Sequence, residues 1–147
     1  MRKSFQIFVL VFLTVTVAHC GASEHENSVR VKSAATGEEL GHFQVEIADE
    51  PAEQATGLMY RKELGANKGM LFLFPQDRMG AFWMLNTLIP LDIIFISADK
   101  KIVNIVERAE PQTTTPRNPT APYRYVLEIN GGRSSELGIG AGDSVEF

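Results

Sequence analysis

Two carboxylates stand where carboxylates are costly. Asp92 shares an alternating strand face with Ile94 and Ile96, and Glu128 alternates with Val126 in a second apolar stretch. An ionised group withdrawn from water costs several kcal/mol unless a donor or cation meets it. Each acid therefore needs a partner, and Arg61, Arg108 and Arg124 are the cationic candidates, with the Asn86-Thr87 turn as a further one for Asp92. Two acids about 5–9 Å apart in a cleft can run general acid–base chemistry, which makes Asp92 and Glu128 the candidate catalytic pair. The same two residues could instead anchor a ligand, with Trp83, Asn86 and Thr87 beside them and Arg61 or Arg124 orienting one acid. Structural ion pairs are the plain alternative.

The methionines suggest a different chemistry. Met59, Met70, Met79 and Met84 fall close together, Trp83 adjoins Met84, and His42 could add a nitrogen. Thioethers select Cu(I), and an indole face can shield such an ion. No MxxM or MxM spacing supports this, and methionine is also the usual filler of irregular cores. No other metal or cofactor is implied.

Much chemistry is excluded by inventory. Cys20 is the single cysteine, so no CxxC motif and no intrachain disulfide can exist. HExxH, GxSxG, P-loop and GxGxxG motifs are missing, and the glycines of residues 138–142 lack the lysine of a phosphate loop. A formal charge of −4 argues against nucleic acid as a partner.

These side chains must be positioned by elements that the patterning outlines. Arg2 and Lys3 precede an apolar run at residues 7–17, with small residues at Ala18, Cys20 and Ala22. Those are the dimensions of a secretory signal peptide cleaved after Ala22, too short for a membrane span. Lipidation at Cys20 is the rival route, with His19 in place of the small residue that site normally takes. A polar leader at residues 23–28 and one domain at residues 29–147 follow.

Alternation predicts a hairpin through Val29, Val31, Phe43, Val45 and Ile47, with its turn at Thr36-Gly37. Asp49-Glu50-Pro51 starts a helix expected to run to residue 62. Strands are predicted at residues 70–74, 78–85, 91–98, 101–108, 123–130 and 144–147. Several are apolar on both faces, so the sheet should be curled or covered. Trp83, in the most apolar of these regions, is expected to be buried. Residues 111–122 carry four of the seven prolines and must be a surface loop. The fold class is α+β, with a mainly antiparallel, barrel-like sheet and one helix.

The run Phe82-Trp83-Met84-Leu85-Asn86-Thr87-Leu88-Ile89-Pro90-Leu91-Asp92 is the densest feature. Taken with Gly57-Leu58-Met59-Tyr60-Arg61, Gly69-Met70-Leu71-Phe72-Leu73-Phe74, Val126-Leu127-Glu128, Gly131 and Gly142-Asp143, it resembles the family catalogued as domain of unknown function 192. The resemblance implies a small, often exported, mainly β domain and supplies no activity. Leu85 departs from the family pattern, which usually has lysine there, and so removes a positive charge. The expectation is an exported binding module for a small ligand or an envelope protein. Its site would lie near Asn86, Asp92 and Glu128 beside the 111–122 loop. A copper carrier and a paired-acid enzyme are the alternatives.

Overall fold

The computed structural model describes residues 27–147; the expected signal peptide and most of the polar leader lie outside the described residues. β1 (Ser28–Lys32) and β2 (Glu39–Ala48) form the expected antiparallel hairpin, with Val29 opposite Phe43. Val29, Val31, Phe43 and Val45 are buried while Arg30, His42, Gln44 and Glu46 face out, the period-two pattern of a strand wet on one side.

The helix start is as the sequence indicates, but its length is not. α1 (Pro51–Thr56) has Glu50 as N-cap, and the Glu53 carboxylate accepts from the N–H groups of Asp49 and Glu50 at 3.3 and 3.2 Å. It ends at residue 56 rather than 62, because Gly57 turns the chain with φ of 50° and donates its N–H to Glu53. Leu58 and Met59 thus belong to a turn. Gln54 ties α1 to the sheet by donating to the Leu73 carbonyl at 2.8 Å.

The connection through α1 explains a second departure. β3 (Lys68–Arg78) runs parallel to β2, in register from Gln44 opposite Lys68 to Ala48 opposite Phe72. Parallel neighbours need a crossover, and residues 49–67 supply it. The other pairings are antiparallel: β4 (Leu91–Ile96), β5 (Ile102–Ala109), β6 (Tyr123–Asn130) and β7 (Ser144–Glu146) complete a seven-stranded sheet in the order β5-β4-β6-β3-β2-β1-β7. The sheet curls as a half-barrel, and its edge strands approach each other. A bridge joins Lys101 to Ser144, and the Ile102 and Val145 N–H groups donate across it to Asp143 and Lys100. A second short helix, α2 (Arg133–Leu137), precedes β7. The molecule is thus β-rich with two short helices, and the α+β expectation fits only in outline. No helix among the described residues is long and apolar enough to cross a membrane.

Residues 79–90 are not a strand, although residues 78–85 were expected to be one. β3 already extends to Arg78, and the chain then leaves the sheet, with an isolated bridge between Phe82 and Arg117 in place of a ladder. It still alternates: Phe82 and Met84 turn inward, Trp83 and Leu85 outward.

The two sheet faces carry separate cores. Val29, Phe43, Leu71, Ile94, Leu127, Ile129 and Val145 pack together within the curl. On the other face Met70, Phe72, Phe74, Ile93, Phe95 and Val126 pack against Leu58 and Met84 from the overlying segments.

Candidate functional site

Asp92 and Glu128 are neighbours in the sheet that look in opposite directions. Ile93 pairs with Glu128 and Asp92 with Ile129 across the β4–β6 ladder. Paired residues share a face and adjacent ones do not, so Asp92 joins the enclosed side and Glu128 the outer side. They cannot meet in one cleft, which removes the paired-acid arrangement.

Asp92 is wholly buried and fully engaged. The register between β4 and β5 slips beside it: Leu91 pairs with Ala109 and Ile93 with Val106, so Glu107 and Arg108 together oppose Asp92. This bulge frees the Arg108 N–H, which donates to Asp92 Oδ1 at 2.8 Å. Gly132 donates to the same oxygen at 2.7 Å and Ser134 to Oδ2 at 2.8 Å. The Arg108 guanidinium makes no ion pair with Asp92. Gly132 has φ of 92°, and a Cβ there would lie 2.6 Å from Arg108 Nε. Asp92 is a clasp joining β4, the β5 bulge and the entry to α2.

Glu128 is treated differently. It is 5% exposed, and its ladder neighbours are Met70 on one side and Ile93 on the other. Among the described residues its carboxyl has no hydrogen-bond or ion-pair partner. Burial alone drives its pKa from 4.5 to about 8, so the acid holds its proton at neutral pH.

The carboxyl lies at the wall of a cavity of about 280 Å³ on the outer face. α1 and the turn after it form one side: a Cβ at Gly57 would lie 3.2 Å from the Phe72 ring and 3.8 Å from Glu128 Oε2. Phe72, Phe74 and Phe82 form the aromatic floor and far wall. Phe82 anchors that wall, meeting Phe72 edge-on at 5.2 Å and Phe95 at 5.8 Å between ring centroids. Trp83 and Thr87 also line the cavity. Trp83 is 58% exposed, which corrects the expectation that it is buried: Phe82 and Met84 take the inward positions on either side of it. Arg78 lines the cavity too, its guanidinium 4.3 Å above the Phe74 ring and without an ion pair among the described residues.

The proline-rich loop braces this wall from behind. Phe82 and Arg117 exchange backbone hydrogen bonds at 3.0 and 2.8 Å, Met84 donates to Thr113 at 2.9 Å, and Gln112 donates to Thr87 at 3.0 Å. None of residues 111–122 lines the cavity.

Of the expected ligand residues, the structure brings Trp83, Thr87 and Glu128 together. Asn86 stands just outside, donating to the Tyr60 hydroxyl at 2.9 Å. Arg61 makes a two-pronged pair with Glu46, both bonds 2.6 Å, and Arg124 pairs with Asp77 at 2.9 Å, so neither orients an acid of the site. The copper set is scattered: Met70 and Met84 are in the outer-face core, Met79 is 56% exposed, His42 faces out from β2, and Met59 alone of the set lines the cavity. Sequence reading missed Gly57, Phe72, Phe74 and Arg78 as site residues. Gly57 had a signal, a glycine inside an otherwise helical stretch.

The profile of the family domain of unknown function 192, described as "Uncharacterized ACR", matches residues 31–147. A crystal structure of a protein of unknown function from Novosphingobium aromaticivorans is similar at 47% identity and a TM-score of 0.77, over 82% of this chain and 84% of that one. A protein from Sinorhizobium meliloti, described provisionally as a transcription regulator, is similar at 39% identity and a TM-score of 0.77, over 81% of this chain and 91% of that one. No curated protein matches. The chain belongs to the domain of unknown function 192 family.

Proposed function

We propose that this member of the family is an exported binding module whose small ligand occupies the cavity over Glu128. One observation carries the reading: a buried carboxyl with no partner among the described residues opens onto a cavity walled by aromatic rings. Folding normally pairs buried polar groups, so an orphaned acid at a cavity is a group kept for something outside the chain. Aromatic walls with one or two polar anchors are the usual make-up of a small-molecule site.

Export rests on the basic and apolar residues at the N-terminus. N-terminal sequencing of protein recovered outside the cytoplasm should begin near Ser23. A start at acylated Cys20 would mean a membrane-tethered form, and uncleaved cytoplasmic chain would refute export.

The pocket is tested by a fragment screen read by amide chemical shifts. Binders should perturb Gly57, Phe72, Trp83 and Glu128 together, and Glu128→Gln should weaken them. Perturbations centred elsewhere, or none across a broad screen, would refute the site.

A further inference from the structure

We propose that the ligand of this cavity is a small organic monoamine, held as its ammonium ion against the Glu128 carboxylate with its apolar body among the aromatic walls. The inference rests on the cavity being the binding site and names the class of ligand. Arg78 and Glu128 are the two charged side chains that line the cavity. The residues beside Glu128 carry no charge: Met70 on β3 and Ile93 on β4 are its ladder neighbours, and Gly57 from the turn after α1 stands next to the carboxyl. A cation entering here finds an acid with no ion-pair partner among the described residues, and once the acid gives up its proton the bond between them is charge-assisted.

The walls agree with a cationic guest. Phe72, Phe82 and Trp83 present ring surfaces, whose faces are electron-rich and attract an ammonium within about 6 Å of the centroid. Arg78 already lies over Phe74. It places a positive charge on the cavity wall, which disfavours a guest with a second ammonium and so selects a monoamine over a polyamine.

Binding moves one proton. In the free protein the buried carboxyl is protonated at neutral pH, its pKa standing at about 8. The incoming ammonium keeps its three hydrogens; the Glu128 O–H bond breaks, the carboxylate pairs with the ammonium, and the proton leaves to buffer. No other bond changes.

Calorimetry on the exported chain tests this, with phenethylamine as probe and hydrocinnamamide as its neutral counterpart, in two buffers of different ionisation enthalpy at pH 7. Phenethylamine should bind about tenfold or more tightly than the amide, the gain of one charge-assisted bond. It should release close to one proton per molecule bound, while the amide releases none. Glu128→Gln should abolish both differences. If that variant fails to fold, the wild-type affinity for phenethylamine should rise as pH goes from about 6 to 8, as the carboxyl needs less help to ionise. Equal affinities, or amine binding without proton release, would overturn the inference. Amide-type fragments that shift Gly57 and Trp83 where phenethylamine does not would overturn it too, and leave the pocket standing.

Discussion

Asp92 and Glu128 lie one residue apart in the β4–β6 register, both almost completely out of water, yet the chain treats them oppositely. Asp92 receives three backbone N–H groups, one freed by a bulge and two from the entry to a helix. Glu128 receives none from the described residues and faces a cavity. A buried acid that the backbone was shaped to satisfy is part of the fold. One that the fold leaves unsatisfied costs stability and persists because something else uses it.

Isosteric substitution gives the widest separation. Asp92→Asn places an amide where only an acceptor fits, weakening three charge-assisted bonds, and should cost about 3–4 kcal/mol in thermal or urea unfolding. Glu128→Gln loses no partner and should be close to neutral near pH 5. Large losses in both variants would erase the distinction between the two acids.

Next in size is the pH dependence. Glu128 has a folded pKa raised above its unfolded value of 4.5, so the folded state binds the extra proton between 4.5 and about 8. Its favourable contribution is complete below pH 4.5 and is lost as pH rises through about 8. Relative to Glu128→Gln, the wild type should lose roughly 2–3 kcal/mol between about pH 5 and pH 7, at up to about 1.4 kcal/mol per unit. Parallel stability curves for the two proteins would contradict this.

Gly57→Ala should cost about 1 kcal/mol, since φ of 50° strains an alanine and its methyl would meet Phe72. It should also reduce fragment affinity by crowding the carboxyl. Trp83→Ala should change stability by less, given the exposure of the ring, and native tryptophan emission should resemble that of an indole in water. A strongly blue-shifted native emission would count against the cavity as described. Smallest of all, Arg61→Ala should cost about 0.5 kcal/mol or less and leave binding unchanged, because its pair with Glu46 is at the surface.

Local pattern carried much of the fold. The limits of β6 were readable from its own composition, and Asp49-Glu50-Pro51 announced α1. What failed were properties that depend on partners distant in sequence. Residues 78–85 have strand-like alternation, but strand status needs a free ladder edge, and the chain spends these residues covering the outer face instead. The same alternation put Trp83 in the solvent once Phe82 took the inward position. The parallel placement of β3 was implied by a helix between two strands, yet hidden by the prevalence of hairpins elsewhere. For the site, Glu128 was legible as an acid in an apolar strand. That it faces away from Asp92 is set by the pairing of Leu91 with Asn130, a long-range register that neither strand encodes alone.

Glu128 is a buried acid without a partner among the described residues. Carbon NMR titration of its side-chain carboxyl, assigned by comparison with Glu128→Gln, measures this directly. The midpoint should lie near pH 8 in the free protein. A midpoint in the ordinary carboxylate range, around 4.5, would show that the acid is solvated or paired and would contradict it.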